Sequence, residues 1–266
     1  SGWTAVTNSS SSTPALNFSG IMQRAQNNQK MYFVDGVHYR VYKPTTNTIE
    51  DWTATAGTLP TDSAGNNPRL ICTWRGRTCV SGLPLDPQNW FLSKVSDPHD
   101  FEYGAVPSTA TDAVAGNNAS LGLIGDVVTA LIPYSDDVLV FGGDHTIYMM
   151  RGDPLNGGQI DLVSDAIGMA WATAWCKDPY GNLYFFSNKC GIYRFIPGQS
   201  APIRISQAIE SLVQEVNTGT HIISMIWNDR FQGVELFITK SSTTAATTHY
   251  FWEARTNAWW PGAFAN

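Results

Sequence analysis

The chain has 266 residues, of which 43% are hydrophobic and only 14% charged, and it carries a formal net charge of -6 with a pI near 5.2. An acidic chain of this kind does not grip nucleic acid by neutralising phosphates, and no stretch approaches the roughly 18 uninterrupted apolar residues of a membrane-spanning helix. Charge this sparse, against roughly 25% in an average domain, requires a surface of small polar residues or one partly hidden against other subunits.

Aromatic residues make up 12%, and with 23 Gly and 14 Pro they describe short strands and many turns. The prior is therefore an all-β fold. Residues 1–20 are rich in Ser, Thr and Asn without an apolar period and read as an arm or linker, with residues 21–266 as a single propeller-like domain. The opening SGWTAV lacks a Met and a basic, apolar leader, which suggests a piece of a longer chain.

Strand signals begin with MYFVDGVHYRVYKPTTNTIEDW, 31–52, where an Asp35-Gly36 turn and a PTTN turn separate apolar or alternating runs that lead to Trp52. In RLICTWRGRTCVSGLPLDPQNWFLSKVSDPHDFEYG, 69–104, two apolar runs flank an Arg75-Gly76 turn, and a third runs from Trp90 to Val95. A two-residue hairpin there pairs Trp74 with Arg77, Thr73 with Thr78 and Cys72 with Cys79. A disulfide across such a wide pair would be strained, so buried reduced thiols are the preferred reading. Pro84, Pro87 and Pro98 are expected in loops between strands.

The plan repeats in ALIPYSDDVLVFGGDHTIYMMRGDP, 130–154, in WCKDPYGNLYFFSNKCGIYRFIPG, 175–198, and in GVELFITKSSTTAATTHYFWEARTNAWWPG, 233–262. Units of short strands recurring about every 45 to 55 residues are the sequence signature of propeller blades. About five blades are recognisable, with a sixth conceivable in residues 105–129. One segment differs: ISQAIESLVQEVN, 205–217, places Ile205, Ala208, Ile209, Leu212, Val213 and Val216 at helical spacing. Ser206 is the expected N-cap, with Glu210 in the first turns. The expectation is one amphipathic helix packed on the sheets, or else a docking element for a partner.

Candidate chemistry gathers at Asp97-Pro98-His99-Asp100 and at Gly142-Gly143-Asp144-His145, where turn formation is the simpler explanation because Asp accepts backbone hydrogen bonds and Gly supplies positive φ. No GxSxG elbow supports a Ser-His-Asp triad. The histidines at 38, 99, 145, 221 and 249 lack metal-ligand spacing, and the four cysteines, Cys72, Cys79, Cys176 and Cys190, match no CxxC pattern. Asp136-Asp137, Asp161 and Asp165 lack a calcium-loop pattern, and the Gly-rich GGDH and NGGQ lack the ending of a phosphate loop. Arg69, Arg75, Arg77 and Arg151 are not accompanied by the S-x-D-x-G-x-x-W box of sialidases. Catalytic, cofactor-binding and metal-binding residues are accordingly assigned as none, and no enzymatic activity is expected.

The unit WRGRTCVSGLPLDPQNWFLSKVSDPHDFEYG, followed in order by VLVFGGDHTIYMMRGDP, IGMAWATAWCKDPYGNLYFFSNKCGIYRF and IRISQAIESLV, resembles structural tail proteins of short-tailed phages, of the nozzle, hub or tubular-tail-B type. The resemblance covers roughly residues 69–216 and rests on order more than on invariant residues. Proteins of that type are usually much longer. The resemblance implies a virion tail component: a homo-oligomeric ring, of about six copies if it follows the cyclic symmetry usual for such assemblies. It further implies neighbouring tail or adaptor proteins as partners, and double-stranded DNA leaving through the lumen without sequence-specific binding. Few charges and many aromatics suit a surface buried against neighbours, and like charge lets DNA slide past. The alternative is a glycan-binding, lectin-like or receptor-binding propeller that presents some of its 10 Trp to sugar faces.

Overall fold

The computed structural model describes residues 7–8, 16–17, 21–104, 109–118, 121–189, 191–198, 201–241 and 248–262. The fold is all-β and β-propeller-like, with five blade-type sheets that follow one another along the chain. The first sheet comprises Gln23–Asn27, Lys30–Val34, Tyr39–Lys43 and Thr48–Asp51, each antiparallel to the next, with Thr7–Asn8 added parallel to its last strand. The second comprises Leu70–Trp74, Arg77–Leu83, Asp86–Leu92 and Val114–Ala115.

The third sheet is Val128–Ser135, Val138–Gly143, Ile147–Arg151 and Gln159–Ser164, and the fourth is Trp175–Lys177, Leu183–Ser187, Gly191–Phe195 and Ile203–Arg204. His221–Asn228, Gly233–Lys240, Thr248–Glu253 and Ala258–Gly262 make the fifth. Among the described residues of 105–129, Val114–Ala115 complete the second sheet, Gly116–Asn118 form a 3-10 turn and Val128 opens the third sheet. The sixth blade conceived for that segment is therefore not built there.

Turn chemistry sets the registers. Arg75 and Gly76 have φ of 49° and 71°, as the two-residue turn that matches strand twist demands, and the pairs Trp74 with Arg77, Thr73 with Thr78 and Cys72 with Cys79 follow. Asn28 and Gln29 form a second turn with both φ positive, at 46° and 60°. Gly57, at φ 64°, lies so close to the Phe101 backbone that a Cβ would come within 2.3 Å of its carbonyl oxygen. That closeness lets Ala56–Gly57 pair in parallel with Asp100–Phe101. Pro87 lies inside the strand Asp86–Leu92, contrary to its expected loop position; it sits near the start, within the register irregularity between the pairs Leu83 with Asp86 and Ser81 with Trp90, where a missing N–H costs little.

The chain divides into two compact units, Ser1–Phe141 with Met149–Asp161, and Gly142–Tyr148 with Leu162–Asn266. In the first, alternate residues of the first two sheets converge on a core that includes Tyr32, Trp52, Ile71, Val80, Phe91 and Phe101. Trp52 meets Tyr32 and Tyr39 edge-on at 4.8 and 5.0 Å between ring centroids. In the second, the fourth and fifth sheets share a core with Tyr184, Phe186, Ile192, Met225, Leu236 and Trp252.

The helix is much shorter than its periodicity suggests: a 3-10 turn over Gln207–Ile209 runs into an α-helix of Glu210–Gln214. Ser206 makes no side-chain cap. Its hydroxyl is taken by the Ile192 N–H at 3.0 Å and the Arg204 Nε at 3.3 Å. Ile209, Val213 and Val216 enter the core of this unit, whereas Leu212 and Ala208 are exposed. The apolar face is thus used to pack on the chain's own sheets, and Val216 is unavailable to a partner. Cys72, Cys79 and Cys176 are free and buried, and Cys190 lies outside the described residues, as does most of the arm 1–20.

Candidate interaction surface

The two Asp-His segments serve as turns. Asp97 Oδ1 accepts the His99 backbone N–H at 3.0 Å, and Asp100 Oδ1 accepts that of Glu102 at 3.0 Å. The His99 ring is engaged by the Thr53 carbonyl oxygen at 2.7 Å and the Tyr32 hydroxyl at 3.3 Å, a backbone group and a phenol in place of a carboxylate. Burial, and then the Asp97 charge, push the Tyr32 phenol up to about 12. Asp144 accepts the Asn188 side-chain amide at 2.6 Å, and its other oxygen lies 3.1 Å from His145 Nδ1 at the surface.

The four arginines singled out do not converge either. Arg77 is fully buried and donates to the carbonyl oxygens of Ser93, Asp112 and Ala110. Arg75 lies over the Trp74 ring, 5.7 Å from its centroid, and 3.4 Å from Asp137. Arg151 pairs with Asp161 at 3.5 Å, and Arg69 lies beside Gly36. Among the described residues no group of three or more His, Cys, Asp or Glu is placed to hold a metal ion. Among the described residues no helix is long and apolar enough to cross a membrane.

What the strands do assemble is a face. In the fifth sheet, strand alternation sends Ile223, Met225, Val234, Leu236, Ile238 and Trp252 into the core and their neighbours outward. The register then lines up Ile226, Glu235, Phe251 and Trp260 in one row across all four strands. The next row is Ser224, Phe237, His249 and Gly262. Ile226 and Trp260 are 58% and 55% exposed, and Phe231, which meets Phe251 edge-on, is 54% exposed. Among the described residues the ends of the row, Ile226 and Trp260, and the adjoining Phe231 are exposed, while Glu235 and Phe251 between them are half-buried.

The polar groups on this face are already ordered. His249 stacks on Phe237 at 4.8 Å between ring centroids and pairs with Glu235, which also accepts the Asn228 amide at 2.8 Å. A Cβ on Gly262 would strike the His249 ring, so glycine there lets the imidazole lie flat on the strand. The Glu253 carboxyl is held below its usual range, first by the Thr256 hydroxyl and then by Arg255, against the smaller opposing effect of burial.

The sequence reading missed this row, although GVELFITK shows the alternation that builds it. Its aromatic members lie on different strands, and only the register brings them together. Of the described tryptophans, Trp52, Trp74, Trp90 and Trp252 are buried, Trp171, Trp175, Trp227 and Trp259 are half-buried, and Trp260 alone is exposed.

No family model and no curated protein matches this chain. Among solved structures it is similar to YCF48 bound to a D1 peptide, with a TM-score of 0.55 and 12% identity over 93% of this chain and 73% of that one. It is also similar to the extracellular domain assigned to a hybrid two-component system from B. thetaiotaomicron, with a TM-score of 0.50 and 12% identity over 86% of this chain. There it spans only 27% of the matched chain. At such identities the likeness is one of fold.

Proposed function

We propose that this chain is a structural subunit of a phage tail, contributing to a ring-shaped nozzle or hub through which double-stranded DNA is ejected. The observation that carries the reading is the row Ile226, Phe251 and Trp260 on the fifth sheet, exposed at Ile226 and Trp260, combined with described tryptophans that are otherwise wholly or half buried. A subunit that works within an assembly needs such a face, because each aromatic side chain covered on association contributes up to about 2–3 kcal/mol. The order of strand motifs over residues 69–216 supplies the link to tail proteins, and the net charge of -6 suits a wall past which DNA slides.

Native mass spectrometry of the purified chain tests the reading. A discrete closed oligomer, of about six copies if the symmetry is cyclic, supports it, and a monomer at every concentration sinks it. A second reading, a glycan-binding propeller, is favoured by the exposure of Trp260. It requires a saturable change of tryptophan fluorescence on adding oligosaccharides, abolished in Trp260→Ala.

A further inference from the structure

We propose that Asn156 is a site of spontaneous modification, at which the Gly157 nitrogen and water convert the side-chain amide into a carboxylate in the folded chain. Asn156-Gly157 is the only Asn-Gly dipeptide in the sequence, and it lies in the loop between the strands Ile147–Arg151 and Gln159–Ser164 of the third sheet. Asp153 organises that loop. Its Oδ1 accepts the Leu155 N–H at 2.9 Å, and its carbonyl oxygen accepts the N–H of Asn156 at 3.1 Å and that of Gly158 at 2.8 Å. The intervening Gly157 N–H donates to no group among the described residues, and the Asn156 amide is likewise unengaged among them. Both residues are exposed. A Cβ built on Gly157 would meet nothing within 4 Å, so the attacking nitrogen stands in open space with no side chain of its own to shield it.

The step needs only water. The Gly157 nitrogen gives its proton to solvent hydroxide and attacks Asn156 Cγ. The N–Cγ bond forms, the Cγ–Nδ2 bond breaks, and the amide nitrogen takes a proton from solvent and leaves as ammonia. Water then opens the cyclic imide at either carbonyl: at Cγ it leaves aspartate, and at the main-chain carbonyl it routes the backbone through Cγ as isoaspartate. Nothing is oxidised or reduced, and each product carries one more negative charge than the parent.

Asp35-Gly36, the only Asp-Gly in the sequence, is the internal contrast. There the same ring closure is blocked, because the Gly36 N–H donates to the Pro68 carbonyl oxygen at 3.2 Å and Asp35 Oδ1 accepts the N–H groups of Val37 and His38 at 2.9 and 2.6 Å. At Asn156 the product has a structural consequence. An isoaspartyl linkage adds a methylene to the backbone inside the loop that Asp153 and Gly158 close, directly before Gln159–Ser164, the last strand of its sheet and one with no buried residue.

The test follows the whole folded chain through prolonged incubation at mildly alkaline pH, by isoelectric focusing and by peptide mapping with mass spectrometry. The expected result is a shift of one charge, loss of the Asn156 amide and two products of equal mass in the tryptic peptide Gly152–Lys177, with no isoaspartate at residue 35. Unfolding in guanidinium is expected to add isoaspartate at residue 35. Asn156→Gln, whose longer side chain closes a ring far more slowly, should lose the acidic species while keeping its melting temperature, and mapping of the unmodified chain decides the matter if that variant does not fold. An Asn156 that keeps its amide in the folded chain overturns the proposal, as does an acidic species that persists in Asn156→Gln. Isoaspartate forming equally fast at residue 35 of the folded chain also overturns it.

Discussion

Trp52 donates its indole N–H to the carbonyl oxygen of Pro98 at 3.0 Å, and its ring fills the core between the first and second sheets, within 6.0 Å of Phe101. One side chain thus supplies both apolar volume and the partner of a buried backbone acceptor. Trp52→Phe is expected to cost about 1–3 kcal/mol, mainly through the orphaned carbonyl, and Trp52→Ala about 3–5 kcal/mol through the cavity. Urea denaturation of the two variants against the parent measures both figures, and equal losses would refute the division of roles.

Arg77 presents the opposite case, a buried charge whose terminal nitrogens are bonded to neutral groups while its Nε has no hydrogen-bond partner among the described residues. Its guanidinium donates to three backbone carbonyls, those of Ser93, Asp112 and Ala110, and burial lowers its pKa from the ordinary arginine value. Arg77→Met is expected to destabilise by about 3–5 kcal/mol, because several buried acceptors lose their donor together. Arg77→Lys should recover little, since an ammonium cannot reproduce the planar fork. Thermal melts of the two variants decide the matter.

Acid should loosen the loops before the strands. Burial opposes ionisation of Asp35, but the combined hydrogen bonds from Asn17, His38 and Val37 outweigh it and hold the carboxyl below its usual range. Asp62 is likewise lowered, against burial, by Asn66, Ala64 and Leu85. Asp112 is lowered first by Thr109. A depressed folded-state pKa contributes stability that is present above the unfolded value, near 3.9, and is lost as pH falls through the folded value. Stability is therefore expected to be flat with pH around neutrality and to fall below about pH 4. Asp35→Asn should shallow that fall in a pH series of denaturant midpoints, and an unchanged slope would remove Asp35 from the account.

The facing thiols should be inert. The Cys79 thiol beside it, and then burial, push the Cys72 thiol well above its usual value, and burial followed by the Asp178 charge does the same for Cys176. All three thiols are buried and out of reach of a reagent, so alkylation at neutral pH is expected to label Cys72, Cys79 and Cys176 only after unfolding. Peptide mapping by mass spectrometry, with and without guanidinium, reads this out residue by residue. Rapid labelling of folded protein would contradict the burial.

Turns carried most of what the sequence revealed. Arg75-Gly76, Asp136-Asp137 and the DPYGN segment each announce a reversal through residues that accept unusual φ or bond to their own backbone. Asn28-Gln29 escaped notice because a glutamine at positive φ has no compositional flag. The helix was over-read because Leu212 and Ala208 keep helical spacing while facing solvent, and because Ser206 spends its hydroxyl on the neighbouring strand. The open face was illegible for a different reason. Glu235 and Phe237 can be assigned outward by alternation, but placing Ile226, Phe251 and Trp260 beside them needs the register of three further strands across loops of unequal length.

The order in which strands pair has a bearing on biosynthesis. Most pairings join a strand to the one synthesised immediately before it, so the entropy of closing each loop is small and each meander is complete soon after its residues leave the ribosome. The parallel pairings, Thr7–Asn8 with Thr48–Ile49 and Ala56–Gly57 with Asp100–Phe101, must wait for distant partners. A nascent chain halted near residue 95 would hold its first hairpins while Trp52 still lacked Pro98. Translation speed across that short window then governs how long an unsealed aromatic core is exposed to chaperones and to other nascent chains.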